Sequence, residues 1–443
     1  MSEMTLAILS LVVLGIVVAI GFIKKVNLGF LALGAAFILG TLGGMKAKAI
    51  TSGFDSSMFV TLVGVTFLFG MASQNGTLDL FSKKIIALVG KHTVLIPVLM
   101  FFLSAFISAI GPGHIAAGIL MTTFAVYLAF EMDINPVTTA LFAKLGANAG
   151  CASPLSLTGV LAKSLSEKEL DKIVSGTLSD PAGVLTAQLQ NYNPAHIFFS
   201  TLLSGLIFTL IIYIATKSYK VKADNPLKLK DIPKFNRAQT YTILAIIAMV
   251  ILCIGFKFDT GLTAFVAASI LILLGAADEK KAIKGIPWGT LVFICGVGTL
   301  ISVINQLGGI SLISDFLTGH MGPRSANPIL AATSGILSWV SSTTGVVMPA
   351  LFPIASEVVI KFAPNLHFQE LIAALTATSF AAAISPLSTG GAIIMSSISA
   401  SKETTNEENN KMFKDLFLLS VANVAINVLL AALGVFSLGG LFY

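Results

Sequence analysis

The chain has 443 residues, of which 55% are hydrophobic and only 11% charged, with a mean hydropathy of +0.91. That balance excludes a soluble fold carrying one anchor and indicates a polytopic membrane protein, buried mostly against lipid and against itself. The net charge of +6 does not point to nucleic acid, because the lysines fall in short clusters between apolar runs, as positive-inside loops do.

Residues 5–23 and 26–44 read as two spanning helices joined by Lys24 and Lys25, the first a retained helix and not a signal peptide, since it has no basic start and no small-residue cleavage site. A third span, 58–74, closes at Asn75-Gly76 and leads into an amphipathic piece bearing Lys83, Lys84 and Lys91. From 94 to 130 there is no Asp, Glu, Lys or Arg, yet the run is too long for one crossing, which needs about 20 residues. Gly111-Pro112-Gly113 near its centre breaks the helix, so the reading is a re-entrant helical hairpin with that tripeptide at its tip. Backbone broken at membrane depth is tolerated only where protein, water or a ligand satisfies it, which makes the tip a candidate binding site. Asn135-Pro136 opens a helix over 135–163 interrupted where Gly, Ser and Pro cluster between Gly150 and Gly159. Residues 164–193 are a polar excursion, 195–216 span again, and 217–237 form a basic linker with Pro226 and Pro233.

The second half repeats the first. Spans at 240–256, 261–277 and 288–306 precede a hairpin over 327–360, uncharged from 327 to 356 and broken at Ser341-Ser342-Thr343-Thr344-Gly345. An interrupted helix over 368–400 breaks at Ser385-Pro386-Leu387-Ser388, and 413–436 make the last span. Ser153-Pro154-Leu155-Ser156 returns intact in that second break, and Gln74 and Gly76 return at the same separation as Gln306 and Gly308. Identical spacing and element order indicate an internal duplication, with 1–216 as the first repeat and 238–443 as the second. Placing the linker in the cytoplasm puts most of the 27 basic residues inside and both termini outside the cell (inner) membrane. Each repeat then has five crossings and one hairpin, so the second is inverted, the signature of a secondary carrier with its site near the midplane. The expected fold is thus an all-α polytopic membrane protein of two inverted repeats.

Gly111-Pro112-Gly113-His114, the run Lys144-Leu145-Gly146-Ala147-Asn148-Ala149-Gly150 leading to Ser153-Pro154 and Thr158-Gly159, and Ser341-Ser342-Thr343-Thr344-Gly345 together resemble the ion transporter superfamily. Within it the chain is most similar to the malonate/dicarboxylate carrier family, and more distantly to the divalent anion:sodium symporters, from whose Ser-Asn-Thr hairpin tips it departs. The resemblance implies an elevator-type carrier, usually a homodimer, with a scaffold domain and a mobile transport domain made of the hairpins and interrupted helices.

An interrupted helix offers N-termini that favour anions and C-termini that favour cations, and hydroxyls, Asn148 and carbonyls are hard ligands suited to a small hard cation. Candidate substrate contacts are His114, Asn148, Ser156, Thr158, Ser342, Thr343, Thr344, Ser388 and Thr389. Candidate sodium ligands are Ser108, Gly111, Gly113, Asn148, Ser153, Ser341, Thr343 and Ser385. An isolated hydroxyl in a membrane helix more often bonds its own backbone; clustering at tips and breaks is what favours ligation here. His114 is as readily a neutral imidazole on a backbone carbonyl as a substrate contact. Lys144 either snorkels to the cytoplasmic surface or faces the site as a fixed cation.

The expected function is secondary transport of a small organic anion, a dicarboxylate ahead of a monocarboxylate such as gluconate, coupled to sodium ahead of protons, with exchange as an alternative. No cofactor beyond a coupling ion is expected, and the partners are the anion, the bilayer and a second copy of the chain. A sodium/proton exchanger would want a buried carboxylate in the site segments, which have none. A membrane-embedded hydrolase would need an acid, a base or a metal cluster converging at one place, and a channel would not need two hairpins sealing opposite mouths.

Overall fold

The computed structural model describes residues 2–24, 26–87, 93–220, 232–256, 258–286, 288–340, 342–401 and 405–442, and among these it holds helices and no strand. In chain order α1 (Glu3–Lys24) and α2 (Leu28–Leu42) precede the short α3 (Ala47–Thr51), then α4 (Ser56–Gln74) and α5 (Thr77–Ala87). The first hairpin is α6 (Ile96–Ala109) and α7 (Gly113–Glu131), and the first interrupted helix is α8 (Pro136–Gly150) and α9 (Leu157–Val174). The polar excursion contains α10 (Val184–Gln190) and leads to α11 (Pro194–Ala215). After the linker come α12 (Arg237–Gly255), α13 (Thr260–Leu273), the short α14 (Glu279–Gly285), α15 (Trp288–Gln306) and α16 (Gly309–Gly319). The second hairpin is α17 (Ala326–Val340), a π-turn at Thr343–Val347 and α18 (Met348–Phe362); α19 (Phe368–Ala382), α20 (Thr389–Ser401) and α21 (Asn406–Ala432) complete the order. Residues 221–231 of the expected linker and the candidate ligand Ser341 lie outside the described residues.

Short polar side chains start these helices by accepting from backbone N–H groups that have no partner in the first turn. Asn27 accepts from Gly29 N, Asn135 from Thr138 N and Asp259 from Leu262 N. Asn236 with Gln239, and Thr405 with Glu408, form reciprocal capping boxes. Pro136 and Pro194 stand in the first turn of their helices, where a missing N–H costs nothing.

Helix starts recur at one fixed displacement. Leu28 and Thr260, Ser56 and Trp288, Thr77 and Gly309, Pro136 and Phe368, and Leu157 and Thr389 are each 232 residues apart, the separation of Asn148 and Phe380. Packing follows the same rule: α2 lies on α15 as α13 lies on α4, and α8 is held between α6 and α11 as α19 is between α17 and α21. The first pair of crossings is backbone on backbone. A Cβ on Gly29 would stand 2.3 Å from the Val292 carbonyl oxygen, and one on Gly261 2.3 Å from Thr61 Cα, so neither position admits a side chain.

Among the described residues four helical stretches are long and apolar enough to cross a membrane: Gly113–Glu131, Pro194–Ala215, Thr343–Phe362 and Glu407–Ala432. Phe59–Gln74 with Thr77–Ala87, bent by 65° at its break, is long and apolar enough as a pair, either as a broken span or as a re-entrant loop. Several of the expected spans are shorter apolar helices of 10–17 residues, among them Gly29–Leu42 and Thr260–Leu273. Two of the four long stretches are hairpin arms, so length alone does not separate a crossing arm from a re-entrant one.

Candidate functional site

The first hairpin turns at Gly111 and Gly113, with φ of 156° and 71°, values an L side chain rarely adopts. The Phe69 ring of α4 occupies the space a Gly111 side chain would need. Beside the turn lies a cavity of roughly 280 Å³ whose lining includes Phe69, Ser73 and Gln74 from α4 and Gly113, His114 and Leu157 from the broken segments. His114 meets the Phe380 ring edge-on at a centroid distance of 4.9 Å, and its Nδ1 is buried with no hydrogen-bond partner. The bond to a backbone carbonyl expected of a neutral imidazole is not made through that nitrogen.

Lys144 does not reach for the membrane surface. It is 1% exposed, and its Nζ donates to the His114 carbonyl oxygen at 2.9 Å. Its stem is clamped between two glycines: a Cβ on Gly118 would stand 2.8 Å from Nζ, and one on Gly390 2.7 Å from Cε. Among the described residues no carboxylate pairs with it. Two helix N-terminal turns flank this ammonium, and a third lies beside the first of them. Gly113 opens α7, Gly390 is in the first turn of α20, and Leu157, which opens α9, comes within 3.3 Å of a Cβ at Gly113. Helix N-termini carry about half a positive charge each, so the whole neighbourhood is positive and has no anion of its own.

The opposite ends of the interrupted helices are built as a set of matched caps. In the first half Ser108 Oγ donates to Ala147 O at 2.7 Å, Thr201 Oγ1 to Ala149 O at 3.1 Å and Ser156 Oγ to Cys151 O at 2.5 Å. In the second, Ser338 Oγ donates to Ser379 O at 2.9 Å, Asn423 Nδ2 to Ala381 O at 3.3 Å and Ser388 Oγ to Ala383 O at 2.6 Å. Carbonyls at helix C-termini have no intrahelical donor, and these side chains supply one at membrane depth. Between the two sets, Asn148 Nδ2 donates to Phe380 O at 3.1 Å and leaves Asn148 Oδ1 buried without a partner. Ser153 and Ser385 accept from Leu155 N and Leu387 N, closing the two Ser-Pro-Leu-Ser turns alike.

At the second hairpin the hydroxyls form a buried cluster. Thr343 Oγ1 is 3.0 Å from Ser338 Oγ and accepts from Ser379 Oγ at 2.9 Å, while Ser342 Oγ accepts from Gly345 N at 3.2 Å. Thr344 and Thr158 each bury an Oγ1 that has no partner. Thr389 is exposed. Of the residues singled out from sequence, His114 and Gly113 line the cavity of roughly 280 Å³, and Ser342, Thr343, Thr344, Ser388, Thr389 and Asn148 do not.

Sequence reasoning passed over Phe380, Thr201, Ser204, Ser338, Ser379 and Asn423, all of which contact the broken segments. A signal was available for some of them. Thr201 and Ser204, and Asn423 and Asn427, stand three or four residues apart in otherwise apolar spans, which places each pair on one helix face.

Residues 4–151 match the family model described as the dicarboxylate carrier protein MatC N-terminus. The match takes in α1 to α8, and with them the first hairpin, His114, Lys144 and Asn148. A comparison with curated proteins finds no match. The family match, carried by the first third of the chain, supports its assignment to the malonate/dicarboxylate carrier family.

Proposed function

We propose that the protein is a secondary active transporter of a small organic dianion, a dicarboxylate, moved by alternating access. The observation that carries this reading is the Lys144 ammonium, buried between the N-terminal turns of α7 and α20 with no carboxylate partner among the described residues. A lone buried cation is costly, and a substrate that brings the missing negative charge repays that cost when it binds. One carboxylate pairs with Lys144, which does not line the cavity and must be uncovered to be reached, and the second with the N–H groups of α7, α9 or α20, with His114 at the cavity wall. The family match supports a dicarboxylate in particular.

The repeated element order and the broken helices support two inverted repeats; the family resemblance adds an elevator motion in a homodimer, and the bias of basic residues puts both termini outside the inner membrane. Coupling to sodium is favoured over coupling to protons, because the breaks at 150–159, 341–345 and 384–391 are rich in oxygen ligands and hold no Asp or Glu. Lys144 also favours a second reading, strict exchange of one anion for another. A fixed charge left unpaired would hinder the empty site from reorienting.

Uptake of labelled malonate or succinate into proteoliposomes decides between these. Saturable uptake driven by an inward sodium gradient, and lost when choline replaces sodium, is the expected result. Uptake that requires internal dicarboxylate and ignores sodium would establish exchange. Absence of both uptake and counterflow for every small dicarboxylate would overturn the proposal.

A further inference from the structure

A second, much smaller cavity, about 20 Å³, lies inside the bundle where α8, α11, α19 and α21 meet. Its polar lining is Asn148, Thr201, Ser204 and Asn423. A volume of that order holds one water or one small ion. The lining points to which. The Thr201 hydroxyl proton is committed to carbonyl oxygens, at 2.9 Å to Ile197 O and 3.1 Å to Ala149 O, and the Ser204 proton goes to Asn427 Oδ1 at 2.7 Å. Both hydroxyl oxygens therefore present only lone pairs. Asn148 is fixed in orientation by its bond to Phe380 O, since a carbonyl can only accept, and its Oδ1 is buried with nothing donating to it.

The helix ends agree. Asn148 and Ala149 are in the last turn of α8, Phe380 and Ala381 in the last turn of α19, and all four line the cavity. Two helix C-termini thus converge on it, each carrying about half a negative charge. Acceptors without free hydroxyl donors, at the negative ends of two helices, describe a site for a small hard cation. No carboxylate lines it, and Lys144 stands one turn earlier on α8, which weighs against a divalent ion.

We infer that this cavity binds a single monovalent cation of sodium's size, held by Asn148 Oδ1, Thr201 Oγ1 and Ser204 Oγ at the seam between the two halves of the chain. This site is separate from the hairpin tips, so its occupancy does not depend on which anion is carried; only its role in coupling rests on the carrier reading.

The test is a sodium titration of the purified full-length protein in detergent, at constant ionic strength with choline as replacement and with no dicarboxylate present, read as the apparent unfolding temperature. A ligand that binds the folded state raises it saturably. Sodium should do so and potassium should not. Thr201→Val, and independently Ser204→Ala, should raise the sodium concentration for half the shift at least tenfold, while Thr201→Ser, which keeps the oxygen, should titrate like the parent. If the parent shows no sodium-dependent shift, the cavity holds water and the inference is wrong; it is equally wrong if Thr201→Val and Ser204→Ala titrate like the parent. A separate titration with malonate or succinate tests the carrier reading. A sodium shift without any dicarboxylate shift would leave the cation site standing and overturn the dianion, and the reverse result would do the opposite.

Discussion

Lys144→Met should act with opposite signs on stability and on binding. Methionine keeps an unbranched stem between Gly118 and Gly390 and removes both the charge and the bond to His114 O. In the empty protein the ammonium loses several kcal/mol of hydration, and its one charged hydrogen bond returns only about 1.5–3 kcal/mol. The variant should therefore be at least as stable as the parent. For the bound dianion the balance reverses. At an effective dielectric constant of about 20, a carboxylate about 5 Å from the ammonium gains roughly 3 kcal/mol, close to a hundredfold in Kd. Gly118→Ala probes the same contact without touching the charge. Its Cβ would sit 2.8 Å from Nζ, the free end of a flexible side chain, so the protein should fold normally while the ammonium is pushed aside and affinity drops by an intermediate amount. Gly15→Ala, with nothing within 4 Å, is the control. Unfolding temperature and dicarboxylate affinity would be measured on the same preparations. A destabilised Lys144→Met that binds dicarboxylate like the parent would refute the argument, because it would make the lysine a structural tie and not a counter-charge.

Thr344 buries an Oγ1 that has no protein partner, at a cost of about 1–3 kcal/mol. Thr344→Val should leave the empty protein as stable or slightly more so, yet weaken binding about tenfold if that oxygen meets substrate or its coupling ion. Thr123→Val, whose hydroxyl only reaches Ser397 at 3.2 Å, should bind like the parent, and equal affinities in all three proteins would make the second tip structural. A cysteine placed at Lys228, in the linker, should react with an impermeant thiol reagent only after the membrane is opened. Cys253 is the native cysteine to replace first, since Cys151 and Cys295 are buried, and ready labelling of intact cells would reverse the orientation.

The breaks were legible in the sequence because their chemistry is local. Gly-Pro-Gly cannot continue a helix, Asn135-Pro136 starts one, and the second Ser-Pro-Leu-Ser lies at the same displacement as the helices around it. What the hydroxyls do was not legible. Ser108, Ser156 and Ser388 sit at breaks as ligands would, and they spend their protons on helix-end carbonyls. A one-dimensional pattern marks a hydroxyl near a break without telling which neighbour takes its hydrogen. Lys144 was the larger surprise, since eight residues of helix separate it from its N-terminal Pro136. Sequence distance left open a side chain that snorkels and one that faces the site; the hairpin folds back and brings His114 O to it. Phe380 was invisible for the same reason: its ring and its carbonyl matter only because the second half closes over the first.

The bond between Asn148 and Phe380 joins places that are counterparts of each other in the two halves. A contact of that kind can be made once only, since the reciprocal would ask a benzyl group to donate a hydrogen. A tandem chain built from two copies of the first half would set amide against amide there, strip His114 of its ring neighbour, and put a second ammonium where Thr376 stands. An assembly of two identical half-length subunits would meet the same conflict. Within one polypeptide the two halves need not be alike. The basic groups went to one side, and the ring and the Ser338–Thr343–Ser379 hydroxyls to the other.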